Sequence, residues 1–203
     1  MRKNRISKNW INKQSRDIYV RKSKVEGYRS RAVYKLKEIN NKFKIIKNGY
    51  PILDLGLAPG SWSQFISRNF KNCRLLGIDL LDVEAIDNVC ILKGDFKDLK
   101  NQDKIEEFFR KGIDTIISDM AVNTTGNKNL DSIVTGDLAM EAMNFATNKL
   151  KKDGQFVSKI FIGSSFKEIV SMAKKNFKET HVFKPPSSRK DSKESFIVCK
   201  KLR

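Results

Sequence analysis

The 203-residue sequence predicts an α/β fold: a mostly parallel seven-stranded sheet with an antiparallel hairpin at one edge and helices on both faces. Three observations carry this. Apolar runs of strand length alternate with segments of helical periodicity, which is how a parallel sheet with crossover helices reads. The run Tyr50 to Leu53 ends in an acid and a glycine-rich turn, Asp54-Leu55-Gly56-Leu57-Ala58-Pro59-Gly60, and a helix then starts at Ser61. Such a turn builds a ligand crevice at the carboxyl end of the first strand. The last two strands are joined by Pro185 to Lys193 with no helix between them, so they pair as an antiparallel hairpin.

Residues 1–27 are polar and basic and read as an arm, leaving 28–203 as one domain. From Arg29 to Phe43 the pattern becomes helical, with Val33, Leu36, Ile39 and Phe43 at spacings of three and four. Strands are expected at 51–55, 74–79, 89–92, 114–118, 154–161, 179–184 and 195–200. Helices are expected at 61–70, 102–111, 136–151 and 165–176. Asn148 to Gly154 reads as a helix end, with lysines in the last turn and a glycine stop.

The net charge is +18, and fourteen of those charges sit at the two ends. Residues 1–31 hold eleven Lys/Arg against Asp17 and Glu26, and residues 184–203 hold seven against Asp191 and Glu194. Ends of this kind suit a polyanion such as RNA; the blander reading is lysine scattered over solvated faces. Apolar runs are broken by charges too often for a membrane span. Cys73, Cys90 and Cys199 form no metal-ligand spacing, and a reduced cytoplasmic protein is expected. The single histidine, His181, has no partner motif, so histidine catalysis and zinc ligation are not expected.

The turn is Gly-x-Ala-Pro-Gly rather than the dinucleotide Gly-x-Gly-x-x-Gly, which points away from pyrophosphate and towards S-adenosylmethionine. Asp79 ends the second strand about 20 residues beyond the turn, placed for ribose hydroxyls. Asp95 could accept from an adenine amino group and Phe96 could flank the ring. Asp119 follows the fourth strand. The expected cofactor-binding set is therefore Asp54, Gly56, Ala58, Pro59, Gly60, Trp62, Asp79, Asp95, Phe96 and Asp119. Taken singly these are weak, since an Asp at a strand end is often a helix cap and Trp62 also fits a packing role. Four strand ends of one polarity are stronger together.

Lys159 interrupts the apolar strand Phe156-Val157-Ser158-Lys159-Ile160-Phe161, where a charge is expensive unless paired. A lysine snorkelling to the rim is the bland alternative. Lys35 lies at the edge of the apolar stripe of its helix, and Glu194 starts the last strand. That strand runs antiparallel, so its start falls on the same sheet edge as Asp119. Two lysines and two acids thus converge beside the crevice. A buried or cation-flanked lysine can take a proton from a hydroxyl acceptor.

These pieces resemble the FtsJ/RrmJ (RlmE) family of ribosomal RNA ribose 2′-O-methyltransferases from about Trp10 to Val198. The carriers are Tyr28-Arg29-Ser30-Arg31-Ala32 with Lys35-Leu36, Asp54-Leu55-Gly56 with Ala58-Pro59-Gly60 and Trp62-Ser63-Gln64, Ser118-Asp119-Met120-Ala121 with Asn123, Val157 with Lys159 and Phe161, and Ser187-Ser188-Arg189 with Glu194. The resemblance implies a Rossmann-like methyltransferase fold, S-adenosylmethionine as cofactor, and a catalytic Lys35-Asp119-Lys159-Glu194 tetrad. It also implies the A-loop uridine of 23S rRNA in the large ribosomal subunit as substrate. Lys159 would then orient or deprotonate the 2′-hydroxyl while Asp119 and Glu194 hold Lys159, and Lys35 would discourage its protonation or contact the RNA. Arg29, Arg31 and Arg189 are expected to grip RNA phosphates. The family usually has glycine at Ser61 and proline at Val122. A monomer is expected, with no metal, DNA or membrane partner. The rival readings are methylation of tRNA or an mRNA cap, and a non-catalytic RNA-binding assembly factor.

Overall fold

The computed structural model describes residues 17–121 and 128–203. The first sixteen residues of the basic arm lie outside that range, as do Val122 and Asn123. Along the described chain run α1 (Ile18–Val25), α2 (Val33–Phe43), β1 (Pro51–Leu55), α3 (Ser61–Asn69), β2 (Arg74–Asp79), β3 (Val89–Lys93), α4 (Leu99–Phe108), β4 (Ile113–Ser118), α5 (Lys128–Lys149), β5 (Leu150–Phe161), α6 (Phe166–Asn176), β6 (Phe177–Phe183) and β7 (Glu194–Leu202). The seven strands form one sheet in the order β3-β2-β1-β4-β5-β7-β6. All neighbours are parallel except β7, which is antiparallel to both β5 and β6. The hairpin does occupy one edge, with β7 on its inner side.

The sheet is covered on both faces, and side-chain alternation sorts residues between them. Leu53, Leu55, Leu76, Ile78, Ile116, Phe156 and Ile160 face α4, α5 and α6, which contribute Ile105, Ala142, Met143, Ala146, Ile169 and Ala173. Ile52, Leu75, Ile117, Val157, Phe196 and Val198 face α2 and α3, packing on Val33, Leu36, Ile39, Trp62 and Ile66. Leu36 and Ile39 are fully buried; truncating either to Ala would cost about 2–5 kcal/mol.

Several boundaries differ from the sequence expectation, and the helix expected at 136–151 spans Lys128–Lys149. Residues 28–32 form a turn, and the helix expected from Arg29 begins at Val33. The helix expected at 102–111 is displaced towards the N-terminus, to Leu99–Phe108. Gly154 does not stop a helix. Leu150 is already buried and opposite Ile113, and the next pair is Thr115 with Gln155, so four residues bulge out of β5 with Asp153 at φ 64°. The lysines and glycine of that bulge imitate a helix terminus.

Candidate active site

Alternation decides which side of the sheet the chemistry sits on. Lys159 shares the face of Val157 and Glu194 that of Phe196, so both point towards α2, as does Lys35 on that helix. Asp119 follows the last residue of β4. Lys159 Nζ donates to the Asp119 carbonyl at 2.7 Å and lies 2.9 Å from Asp119 Oδ1. Lys35 Nζ lies 3.8 Å from that same Oδ1 and donates to Glu194 Oε2 at 2.7 Å. The result is a buried row of alternating charge, Lys159–Asp119–Lys35–Glu194. Asp119 Oδ1 is buried between the two ammonium groups without hydrogen-bond geometry to either. Burial opposes the charge on Lys35, but Asp119 and Glu194 outweigh it and raise its pKa, so Lys35 is held protonated.

This row differs from the sequence expectation in one respect. Glu194 pairs with Lys35, not with Lys159, because it stands opposite Phe161, two positions beyond Lys159 on β5. Its other oxygen, Oε1, accepts from Ser188 Oγ at 2.8 Å.

A cleft of about 560 Å³ opens beside the row, lined by Gly56, Ala58, Asp79, Asp95, Phe96, Asp119, Met120 and Leu138 among others. Its size suits a small ligand. Asp79 shapes the glycine turn as well as the cleft: its Oδ2 accepts from Ala58 N at 2.8 Å and its Oδ1 from Leu81 N at 2.9 Å. Asp95 accepts from Lys97 N at 2.9 Å. Phe96 is largely buried, edge-on to Phe145. Gly56 has φ 75°, and a Cβ there would lie 2.2 Å from Met120 Cγ. Gly60, at φ 102°, would drive a Cβ to 2.5 Å from Ile86.

Four residues of the expected cofactor set do not line this cleft. Asp54 lies on the opposite face from Leu53 and Leu55, where its Oδ2 accepts from Ser63 Oγ at 2.7 Å. Burial pushes its carboxyl up to about 7, an effect partly countered by that bond. Trp62 is buried against Phe196, and its indole N–H donates to Ala32 O at 2.8 Å. Pro59 and Gly60 belong to the turn but do not line the cleft. The carbonyl of Pro59 accepts from Arg29.

The three arginines expected at RNA are engaged internally. Arg29 donates to the carbonyls of Pro59, Glu84 and Ala85 at 2.7–3.1 Å and so staples the glycine turn. Arg31 pairs with Asp17 and donates to Ser187 O. Arg189 lies 3.5 Å from Asp17, with 32% of its side chain exposed. Asp17 also caps α1 by accepting from Tyr19 N. Sequence reasoning missed Asp17, Glu38 and Ser63 as organising residues. A buried acid next to serine carries no local pattern, and Glu38 meets its partner across 149 positions.

The inserted antiparallel strand, the cleft at the carboxyl edge and the lysine–acid row beside it define a Rossmann-like methyltransferase. Residues 28–202 match the FtsJ-like methyltransferase family, and the chain belongs to it. It is 64% identical, over the full length of both chains, to the ribosomal RNA large subunit methyltransferase E of Pelagibacter ubique. It is 39% identical to the protein of the same name from Zymomonas mobilis, covering 100% of this chain and 91% of that one. A crystal structure described as a ribosomal RNA methyltransferase, from Plasmodium falciparum, superimposes with a TM-score of 0.77 at 32% identity, covering 86% of this chain and 98% of that one.

Proposed function

We propose that this protein transfers a methyl group from S-adenosylmethionine to a ribose 2′-hydroxyl of large-subunit ribosomal RNA, the A-loop uridine of 23S rRNA. The observation that carries the reading is that Asp119 belongs both to the cleft and to the charged row. A donor in the cleft and an acceptor at Lys159 are thereby neighbours. The cleft fits the cofactor: Asp79 and Asp95, at the ends of adjacent strands, offer carboxylate oxygens for hydroxyl and amino donors, and the missing Cβ of Gly56 leaves room for Met120, which also lines the cleft. When bound, S-adenosylmethionine supplies an already activated methyl, so the remaining task is alignment and proton removal.

Lys159 donates to the Asp119 carbonyl with the Asp119 carboxylate beside it, and it meets the acceptor hydroxyl either as an ammonium that orients it or as a neutral amine whose nitrogen lone pair takes its proton. Asp119 holds Lys159. Glu194 holds Lys35. The 2′-hydroxyl restricts the reaction to RNA, and the basic ends supply phosphate contacts. The chain acts as a cytoplasmic monomer on ribosomal particles. Among the described residues no helix is long and apolar enough to cross a membrane.

The test is transfer of labelled methyl to large subunits and to naked rRNA from a strain lacking the enzyme, followed by mapping of the modified nucleotide. Incorporation at one ribose 2′-oxygen of 23S rRNA is expected. Label on a base, on tRNA, or nowhere overturns the reading.

A further inference from the structure

Lys35 and Glu38 stand three positions apart on α2 and so share one face of the helix. Both reach the segment that precedes β7. Lys35 donates to Glu194 Oε2 at 2.7 Å. Glu38 Oε2 accepts from both the backbone N–H of Ser187 at 2.9 Å and its Oγ at 2.7 Å. Ser188, the next residue, donates its Oγ to Glu194 Oε1 at 2.8 Å. The contacts close a ring: Lys35, Glu194, Ser188, Ser187, Glu38 and back along one turn of α2. Ser187 and Ser188 are 1% and 6% exposed, so water has little access to replace these bonds.

The ring gives each oxygen of Glu194 a partner within the protein, Lys35 on one and Ser188 on the other. The position of Lys35 follows from this. Its ammonium stops 3.8 Å from Asp119 Oδ1, the oxygen that Lys159 approaches to 2.9 Å. A carboxylate held at one oxygen only can turn about its last bond, where the torsion is broad. Lys35 would then be free to move in on Asp119 and compete with Lys159. We infer that Ser188 and Glu38 are positioning residues of the methyl-transfer site, holding Glu194 so that Lys35 stays off Asp119 and leaves it to Lys159. This inference rests on the reading of the row as the methyl-transfer site.

The experiment compares Ser188→Ala, Ser188→Thr, Glu38→Ala and Glu38→Gln in the full chain, with kcat expressed per S-adenosylmethionine-binding site. Losing one hydrogen bond to a charged group predicts a fall in kcat of about tenfold for Ser188→Ala. KM for S-adenosylmethionine should stay within about twofold, since neither serine lines the cleft. The Thr and Gln variants keep the donor and the acceptor and should recover most of the rate. A second readout does not depend on activity: NMR titration of isotope-labelled lysine should show Lys35 deprotonating at lower pH in Ser188→Ala, because a loosened Glu194 supports its charge less. Unchanged kcat with unchanged Lys35 titration overturns the inference, as does a parallel loss of donor binding in Ser188→Ala. A wild-type protein that transfers no methyl counts against the proposed function instead, and the Lys35 titration still decides the positioning role.

Discussion

Lys35 and Glu194 stand 159 positions apart and meet at 2.7 Å, one from the helix that precedes the sheet and the other from the first residue of its last strand. That pairing fixes the order of the charged row and leaves Lys159 with Asp119 alone.

Lys159→Ala should abolish methyl transfer by roughly 100- to 10,000-fold, the range for removing a positioned proton-transfer group. S-adenosylmethionine affinity should stay near wild type, because Lys159 does not line the cleft. Calorimetric titration of the cofactor beside a labelled transfer assay checks both halves. Near-full activity would remove Lys159 from the reaction.

Asp54 makes stability depend on pH in an unusual direction. Its folded pKa is raised to about 7, so between the unfolded value near 4 and pH 7 the folded state binds the extra proton. Stability is therefore fullest below the unfolded pKa and declines as pH rises towards 7, with an upper bound of about 4 kcal/mol. Asp54→Asn, which keeps a partner for Ser63, should lose this slope and be the more stable protein at pH 8. Denaturant midpoints of both proteins between pH 4 and 8 measure it, and parallel curves would refute the assignment.

Gly56→Ala should cost both stability and cofactor affinity. The left-handed backbone alone costs a side chain about 1–2 kcal/mol, and the new Cβ would strike Met120 Cγ. Met120 is flexible, so adding Met120→Ala should restore part of the thermal midpoint while leaving the backbone term. A double-mutant cycle reads the coupling between the two positions; simple additivity would show that the clash is not what matters.

Arg29 and Arg189 should behave differently although both were candidate phosphate contacts. Arg29→Ala removes the staple on the Pro59, Glu84 and Ala85 carbonyls and should lower stability by about 1–3 kcal/mol, with the salt dependence of RNA binding unchanged. Arg189→Ala should leave folding nearly intact and reduce the slope of log affinity against log salt by about one. Filter binding at several salt concentrations distinguishes them.

Much of this site was legible from the chain alone. Strand-end acids and the glycine turn are local patterns, and a lysine within an apolar strand advertises itself because burial of an unpaired charge is costly. Lys35, Asp119, Lys159 and Glu194 could therefore be brought to one sheet edge without coordinates. Asp54 and Trp62 were drawn into the cofactor set because they flank the turn in sequence. The alternation of β1 sends Asp54 to the far face, and the first turn of α3 sends Trp62 into the core. The bulge at 151–154 imitated a helix end because lysine and glycine serve both structures.

The sequence by itself determined the fold class, the place of the cleft and the identity of the four charged residues, since each depends on periodicity or on a short motif. Only the tertiary structure decided who pairs with whom. Glu194 went to Lys35, Ser188 to Glu194, Glu38 to Ser187, and Arg29 to the carbonyls behind the glycine turn. Such pairings depend on ångström distances between elements far apart in the chain, and on which face of a strand each side chain leaves, quantities that no local pattern encodes.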